Sequence, residues 1–470
     1  MAKKTGVILI SLLAILLIVG VWKQETIFNY VQPLRVVHID LHHLPENRLR
    51  FKVSVKANRK SDASLKYWQV GTTDTLYSDV SNGKREHDIF IYNLLANKDY
   101  RFQVAVRNSG QEDTSKTYPF VTKPIYQTTP YFNLDSVDVD FASSLKDSYF
   151  LTQILSEPGA AVIINGSGDI VWYEPFSKGV KVSTWSQDKT VLCILGSEDI
   201  PSSGGDEIVE IGLDGRYIQH FKVGEGDMDK LVHHEVGKDS DGNIFAITFD
   251  SKIVDLTSLG GLKNDTVKAD GIVVFDKGGK KVWEWSLLDH IDILDFPELM
   301  KNKKDLVHAN SLSDDGQGFY LMSFRDLNQI WKIDKGTGEV LWKFGENGDF
   351  PLAEEDIFSS QHRAHINSVG DLMLLDNGTK VGQSRAISFA LNESQRSAEK
   401  KIEIQYPRDL YSTVKGNATM YGKDKVLVCL TDPRSFLITD LAGKLLWKLS
   451  IGGDPYRIEE VHGFSLSKKQ

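Results

Sequence analysis

The chain has little cysteine and no excess of basic residues. Only two of its 470 residues are cysteine, Cys193 and Cys429, and this number excludes a disulfide-rich scaffold. Each cysteine lies in an apolar, strand-like run, so we expect two buried reduced thiols, with a long-range disulfide as the alternative. The net charge of -9 argues against nucleic acid as the main partner, because nucleic-acid-binding proteins usually carry a basic surface.

Several motifs of nucleotide enzymes and hydrolases are also missing. The chain contains no Walker loop, no dinucleotide glycine fingerprint in a strand-turn-helix setting, and no GxSxG nucleophile elbow. We therefore expect neither a nucleotide donor nor a bound cofactor.

Long apolar runs are scarce, and the longest lies at the amino terminus. Residues 6 to 22 follow Lys3 and Lys4 and would measure roughly 26 Å as a helix, near the lower limit for crossing a bilayer. The run lacks an Ala-x-Ala-like end, so residues 1–23 are predicted to be an uncleaved signal anchor, with a cleaved signal peptide as the alternative. Because the lysines stay inside, we expect the rest of the chain to be exported and anchored in the cell-envelope membrane, facing the periplasm or the outside.

Residues 35–124 show short runs of alternating apolar and polar residues, such as LRFKVSV and DYRFQVAVRN. This period of two, with polar turns between the runs, is typical of a β-sandwich of the immunoglobulin or fibronectin III kind. The stretch LLANKDYRFQVAVRN followed by TYPFVTKP resembles a fibronectin type III domain. No residue of this segment suggests catalysis, so we interpret it as a spacer or interaction module.

Residues 139–470 contain a weak internal repeat, in which a polar turn with Asp or Gly precedes a strand that often carries Trp. One copy is degenerate, at 390–406, and the others lie at 164–176, 211–223, 275–287, 333–345 and 438–450. Their spacing suits one four-stranded blade per copy. Six copies predict a six-bladed β-propeller, and the whole chain is predicted to be all-β.

Histidines recur at the entrances of three predicted hairpins. Residues equidistant from a hairpin turn face each other, so His308 should lie opposite Arg325. The same geometry places His233 and His234 opposite Thr248, and His362 opposite Asn377.

In a propeller, the inner hairpins of successive blades enter at one mouth of the central channel. We therefore expect His234, His308 and His362 to converge at this mouth. The longer segments 249–270 and 287–304 are expected to form its rim, with part of the second one helical. His290, within that segment, is interpreted as a surface residue.

Four interpretations of these residues remain open on the residues alone. They are unrelated polar residues at strand ends, a three-imidazole metal site, a non-catalytic anion-binding mouth, or a site of covalent group transfer. Arg325 beside His308 would repel a metal cation, so no metal is expected. An imidazole is a competent nucleophile toward sulfur or phosphorus, and a site without an evident magnesium ligand set favours a monoanionic sulfate ester over a phosphate ester.

The ordered segments HHE, DLVHANS, SFR, QHRA, DNG and SRA, within Trp-bearing β repeats, resemble the bacterial arylsulfate sulfotransferases that do not use the nucleotide sulfate donor. The resemblance covers about 139 to 455. It implies an exported six-bladed propeller with an N-terminal β-sandwich. It also implies transfer of a sulfuryl group from a phenolic sulfate ester to a phenolic acceptor, by a ping-pong route through a sulfohistidine.

Carried over segment by segment, the resemblance makes His362 the nucleophile. His308, Arg325 and His234 would bind the sulfuryl oxygens and assist proton transfer to and from the phenols. The residues expected to contact substrate or orient the site are Asn310, Asn377, Arg385 and His233. Among these, Asn377 is expected to fix the tautomer of His362, and Arg385 either adds charge at the rim or is structural.

The chain also departs from the family pattern. Well-known members carry a cysteine pair close in sequence after the nucleophile segment, whereas this chain has only Cys429 there. Alternatives to transfer are hydrolysis of the same esters, or a membrane-tethered propeller that binds sulfated or other anionic ligands without chemistry. The partners expected are an aryl sulfate donor, a phenol acceptor and the membrane, and a homodimer is one alternative for the oligomeric state.

Overall fold

The computed structural model describes residues 32–125, 132–201, 203–294, 296 and 298–464. The predicted anchor at 1–23 lies outside this part of the chain. Within the described part, none of the helices has the length and apolar character that crossing a bilayer requires. The chain divides into two compact units, one within Met1–Pro124 and one at Ile125–Phe464.

The first unit consists of seven strands that are joined by hydrogen bonds into one sheet. They are β1 Val36–Leu44, β2 Asn47–Gln69, β3 Leu76–Tyr77, β4 Ser81–Ile91, β5 Asp99–Asn108, β6 Gln111–Thr114 and β7 Tyr118–Val121. The long strand β2 pairs with β1 and β4 over its first half and with β5 over its second half. Its side chains alternate between buried and exposed, as the sequence predicts for an all-β unit.

The second unit begins with β8 Phe132–Val137 and continues almost entirely as strands. In chain order they are β9 Tyr149–Ile154, β10 Gly159–Asn165, β11 Ile170–Phe176, β12 Gly179–Trp185, β13 Val191–Gly196, β14 Gly204–Gly205, β15 Glu207–Ile211, β16 Tyr217–Lys222, β17 Val232–Lys238, β18 Ile244–Val254, β19 Asp265–Phe275, β20 Lys281–Ser286, β21 Ala309–Asp314, β22 Phe319–Phe324, β23 Gln329–Asp334, β24 Val340–Gly345, β25 His362–Ile366, β26 Leu372–Asp376, β27 Arg385–Asn392, β28 Ser397–Gln405, β29 Asn417–Tyr421, β30 Lys425–Leu430, β31 Ser435–Asp440, β32 Leu445–Ile451 and β33 Glu459–Glu460.

These strands form six antiparallel sheets, which are the blades of a six-bladed β-propeller, as predicted. Blades 2 to 5 are built around β12–β16, β17–β20, β21–β24 and β25–β28. The ring closes at two places. Strand β33, from the C-terminal end, pairs with β9 in blade 1, and β8 pairs with β32 in blade 6.

The predicted sequence repeat corresponds to the hairpin that joins the last two strands of each blade. Ile164 pairs with Ile170 in blade 1 and Ile333 with Val340 in blade 4, on either side of the polar turn. The tryptophans of the repeat link neighbouring blades, because Trp447 Nε1 donates to Gly166 O at 2.8 Å in the turn of the next blade. Trp172 and Trp285 make the same bond to Leu213 and Gly338.

The hydrophobic cores lie between adjacent blades, since each cluster combines strands of two neighbours. One cluster packs Trp447 and Phe436 of blade 6 against Phe150 and Ile164 of blade 1. Burying a large aromatic side chain removes about 150–250 Å² from water, worth roughly 4–6 kcal/mol before conformational entropy is subtracted. The blades are therefore held as a ring, and the start of each inner strand is fixed.

Short helices occur only in the connections of the described part. One is a single α-turn, Leu299–Asn302, and the others are 3-10 turns at Ala142–Leu145, Thr257–Leu259, Leu287–Asp289, Arg325–Leu327, Glu354–Asp356 and Arg408–Leu410. The predicted rim segment 249–270 is an outward extension of the β18–β19 hairpin. The two strands stay paired up to Val254, which faces Asp265. The segment before β21 contacts the base of this hairpin, where the Lys268 amide donates to Lys303 O at 2.7 Å. His290 is exposed, as expected.

The two cysteines lie in different blades, Cys193 in β13 and Cys429 in β30. Both are free and fully buried. The prediction of two buried reduced thiols is confirmed, and the alternative of a long-range disulfide is wrong. Burial raises the pKa of both thiols far above the usual value, which makes them unreactive.

Candidate functional site

Three inner strands bring their histidines to one place at the channel mouth. Ala309 pairs with Phe324 and the Arg325 amide donates to His308 O at 3.0 Å, so the predicted facing of His308 and Arg325 is confirmed. His234 and His308 both have a positive φ, 57° and 53°, at the irregular start of their strands. A left-handed conformation is costly for these residues and is found mostly where a function requires it.

Two of the predicted hairpin registers are wrong by one or two residues. Thr248 pairs with Val232 rather than with the two histidines, and His362 pairs with Leu375 rather than with Asn377. The physical reason is a bulge at the entrance of each inner strand, where an extra residue shifts the pairing. The predicted contact between His362 and Asn377 nevertheless exists, through their side chains.

His362 is 4% exposed and held by three hydrogen bonds. Its Nδ1 lies 2.7 Å from Asn377 Oδ1 and 3.0 Å from Ser360 O, and both of these atoms are acceptors. The Lys415 amide donates to Nε2 at 3.2 Å. Nδ1 must therefore carry the proton, and Nε2 presents its lone pair.

The surroundings of His362 keep its ring neutral. Burial is the main cause that lowers its pKa to about 3; the hydrogen bond to Asn377 opposes it, and the positive charges of Arg325 and His308 add to it. An imidazole whose pKa lies at about 3 is uncharged at any ordinary working pH. Its lone pair is therefore available without prior deprotonation.

His308 is the opposite case. Burial alone would lower its pKa, but Asp305 Oδ2 lies 2.7 Å from Nδ1, and the hydrogen bond and charge of this carboxylate raise the pKa above 6.5. Asp305 therefore favours the protonated form of His308, in which Nε2–H is a second donor. Its ring meets that of His234 edge to face, with the ring centroids 4.9 Å apart.

His234 and His233 form a pair at the start of β17. Their Nδ1 atoms are 2.8 Å apart, and His233 Nε2 lies 3.2 Å from both Thr248 O and Asp270 Oδ1. With Nε2 of His233 donating to these acceptors, its Nδ1 accepts from His234, whose Nε2 then holds a lone pair. Burial, and after it the charge of His308, lowers the pKa of His234 well below 6.5, so this ring is neutral.

Arg325 adds a fixed cation. One guanidinium nitrogen donates to Asp326 Oδ1 at 2.8 Å, and the side chain is 26% exposed. Its charge acts on the pKa of both His362 and Asp305, and its amide donates to His308 O, so it lies close to this part of the site. A partly exposed guanidinium beside a neutral and a charged imidazole suits the oxygens of a small anion.

The remaining predicted residues differ in their surroundings. Asn310 Nδ2 donates to Gln361 O at 2.7 Å, directly before His362, while its buried Oδ1 has no partner among the described residues. The guanidinium of Arg385 instead binds Asp376, Glu403 and two backbone carbonyls, at 2.8 to 3.2 Å. These contacts show a structural role for Arg385, and its predicted contact with substrate stays a prediction.

Three contacts of the site were not predicted from the sequence. Asp305 sets the charge of His308, Asp270 binds His233 and also accepts from the Ala309 amide at 2.8 Å, and the Lys415 amide binds His362. Asp305 had a sequence signal, since it precedes His308 by three residues in DLVHANS. Lys415 lies 53 residues after His362 in the next blade, and nothing in the local sequence points to it.

A buried ion cluster lies directly behind the histidines. Glu235, which follows His234, accepts from Arg457 at 2.6 and 2.9 Å and from Arg363, which follows His362, at 2.8 Å. Breaking a buried pair by removing one partner costs about 3–5 kcal/mol, so this cluster fixes the backbone at both histidines. Within the described part of the chain, no group of three or more His, Cys, Asp or Glu residues is placed to hold a metal ion.

Comparisons with known proteins identify a family for the propeller. The model of the family described as Arylsulfotransferase (ASST) matches residues 139–437, more than half of the chain. No curated protein matches. Among solved structures, a protein of unknown function from Bacteroides caccae is similar at 11% identity, over 67% of this chain and 100% of that chain, with a TM-score of 0.44.

AztD from Citrobacter koseri is similar at 12% identity, over 69% of this chain and 100% of that chain, with a TM-score of 0.32. Both TM-scores are below 0.5, so neither structural similarity supports an inference about function. The family match implies an aryl sulfate donor and a phenol acceptor, and it covers the four predicted catalytic residues, His234, His308, Arg325 and His362. The chain belongs to the arylsulfotransferase family, and the family supports aryl sulfotransferase activity.

Proposed function

We propose that the protein moves a sulfuryl group from a phenolic sulfate ester to a phenolic acceptor through a sulfohistidine at His362. The observation that carries this proposal is the state of His362: a neutral ring whose Nδ1–H is held by Asn377 and Ser360, so that Nε2 carries the lone pair. A nucleophile needs this lone pair, and a protonated or tautomerised ring would lack it.

In the first half-reaction, His362 Nε2 attacks the sulfur of the donor. The N–S bond forms while the bond from sulfur to the phenolic oxygen breaks, and the leaving oxygen takes the electron pair. The Lys415 amide must give up its hydrogen bond to Nε2 as sulfur approaches, which costs about 1 kcal/mol. Protonated His308, which Asp305 favours, donates its Nε2 proton to the leaving phenolate.

In the second half-reaction, the acceptor phenol occupies the position that the first phenol has left. His308 is now neutral and takes the phenol proton as the oxygen attacks sulfur. The N–S bond breaks and its electron pair returns to His362 Nε2. Both partners and the protein then regain their starting protonation states, so one proton cycles through His308.

The negative charge of the transferred group is met by groups already in place. Arg325 offers guanidinium donors. His234 Nε2 holds a lone pair and the free Oδ1 of Asn310 is an acceptor, so neither donates to the sulfuryl oxygens in this arrangement. Removing one such preorganised donor from other enzymes typically costs about 100- to 1000-fold in rate. Since these groups are fixed by the blades, they need little reorganisation during the reaction.

The first experiment is release of 4-nitrophenol from 4-nitrophenyl sulfate in the presence of phenol. We expect His362→Asn to abolish this release while the far-UV spectrum and Tm stay unchanged. His290→Asn is the matched control, because His290 is exposed and stacks on Trp285 in the rim segment. Normal turnover by His362→Asn would show that the nucleophile is another residue.

The same assay separates the other interpretations. Without phenol, steady release of nitrophenol would indicate hydrolysis rather than transfer. Binding of aryl sulfates without any release would favour a propeller that binds anionic ligands and performs no chemistry.

The N-terminal segments have a separate proposal. We propose that residues 35–124 form a fibronectin III-like sandwich that acts as a spacer. We also propose that residues 1–23 anchor the protein in the cell-envelope membrane, with its propeller exported. In addition, we propose that two copies form a homodimer. Support comes from the apolar run at 6 to 22 after two lysines and from the all-β character of the first unit. Carbonate extraction of membranes tests the anchor, because deletion of 1–23 should release the protein, and light scattering of the detergent-solubilised chain tests the dimer.

A further inference from the structure

A cavity of about 310 Å³ adjoins the histidine site between blades 6 and 1. Its lining includes the end of β9 from Thr152 to Leu155, the loop residue Pro455, and Lys415. Lys415 connects the two sites, because its backbone amide binds His362 Nε2 at 3.2 Å while the residue also lines the cavity. Lys415 is therefore shared by the histidine site and the cavity.

The cavity gathers donors that have no acceptor. Gln153 is 3% exposed and lines the cavity, and its Nε2 makes no hydrogen bond within the described residues, although its Oε1 accepts from Ser183 at 2.7 Å. A buried amide donor without a partner is destabilising, so an acceptor on a ligand would satisfy it. Lys415 forms no ion pair with any described residue, which adds a cationic donor at the same wall.

A second lysine lies beside the same wall. Lys181 in β12 is 8% exposed and makes no ion pair among the described residues. The Lys181 ammonium lies near Gly179, because a Cβ added to this glycine would be 3.2 Å from Nζ. The same Cβ would overlap the carbonyl of Leu155, which lines the cavity. The ammonium therefore lies next to this part of the wall. Burial lowers the pKa of Lys181, the charges of Glu157, Glu198 and Asp199 oppose this effect, and the charge of Lys415 adds to it.

Asp454, the acidic residue that lines the cavity, already has an ion-pair partner. Asp454 Oδ1 lies 3.0 Å from Arg434 Nε on the exposed side of the loop. The apolar lining, which includes Phe132, Leu155 and Pro455, suits an aromatic ring. A ring that carries a second acidic group would satisfy both the apolar wall and the donors.

We propose that this cavity binds a carboxylate on the aromatic ring of the substrate, so that the preferred acceptors are phenols with an acidic substituent, such as hydroxybenzoates. Lys415 and Lys181 supply the positive charge and Gln153 the neutral donor. The sulfuryl group itself stays with His308 and Arg325, so the two anionic groups of one substrate are held at separate places. The proposal depends on the proposed function for the reaction, but the binding of the acid can be measured without turnover.

The binding experiment is calorimetric titration of the whole protein with 4-hydroxybenzoate and with its neutral methyl ester. We expect the acid to bind to wild type at least about tenfold more tightly than the ester, because only the acid can form a charge-assisted hydrogen bond with the lysines. Lys415→Met keeps the backbone amide and the apolar stem and should remove this preference, and Lys181→Met should reduce it. Lys423→Met, an exposed lysine at the far end of the same inner strand, is the matched control and should keep it.

The kinetic experiment uses 4-nitrophenyl sulfate as the fixed donor and the same two acceptors. We expect the ratio of kcat/KM for acid over ester to fall about tenfold in Lys415→Met, through KM rather than kcat. Equal use of both acceptors by wild type, or an unchanged ratio in the variant, would overturn the cavity proposal while leaving the proposed function intact. Selective binding of the acid without any transfer would uphold the cavity and count against the proposed function instead.

Discussion

Replacing Asp305 by Asn tests the assignment of His308 as the acid that protonates the leaving phenol. The carboxylate oxygen lies 2.7 Å from His308 Nδ1 and raises the pKa of this ring above 6.5, although burial opposes it. Asparagine keeps the size of the side chain and removes the charge. Since burial is then no longer offset, the pKa of His308 should fall.

The size of the shift follows from the geometry. An opposite charge within about 4–6 Å shifts a pKa by about 1–3 units, and Asp305 is in direct contact. The Asp305 side chain is 42% exposed, so solvent screening favours the lower end, about one unit. Activity that needs protonated His308 is present below its pKa and lost as the pH rises through it. The alkaline limb of kcat/KM should therefore move down by about one pH unit in Asp305→Asn.

The assay is a pH profile with two donors of different leaving ability. Phenyl sulfate has the poorer leaving group and needs the proton more than 4-nitrophenyl sulfate does, so it should lose more rate in the variant. Asp241→Asn, which changes an exposed carboxylate in the turn between β17 and β18, is the matched control. An alkaline limb that stays in place for both donors would refute the assignment of His308 as the acid.

Three further predictions concern the surroundings of the site and the core. Asn377→Ala should lower kcat/KM only about fivefold to tenfold, because Ser360 O still accepts from His362 Nδ1. Asn377→Asp should instead raise the pKa of His362, which moves the acid limb of the pH profile to higher pH. Arg325→Met should lower kcat/KM about 100- to 1000-fold, and Arg325→Lys should lose less, which steady-state kinetics will separate. Reducing agent should leave Tm unchanged because both cysteines are free, whereas Cys193→Ser should cost about 1–3 kcal/mol in chemical denaturation by burying an unpaired hydroxyl.

The architecture was predictable from the sequence because the repeat coincides with one structural unit. Each copy is the outer hairpin of a blade, and its tryptophan contacts the next turn, as Trp447 contacts Gly166. Local pattern and blade packing therefore agree. The alternation of 35–124 likewise predicted strands, but not the length of β2, which runs without a break from Asn47 to Gln69.

The site was predictable in its residues and less so in its details. Counting from the turn paired His308 correctly with Arg325, but bulges shifted the pairing of His362 to Leu375. A bulge depends on how the inner strands meet around the channel, and one hairpin does not encode this. The contact of Lys415 with His362 depends in the same way on how blades 5 and 6 pack side by side, which brings the entrances of their inner strands together.

The most direct test of the account is to locate the transferred group. The protein is incubated with 4-nitrophenyl sulfate alone, quenched at alkaline pH where a sulfohistidine should survive, and examined by intact and peptide mass spectrometry. The account predicts a gain of about 80 Da on the peptide that contains His362, removed when phenol is added before the quench. Turnover without this gain, or the gain on His308 or His234 instead, would contradict it.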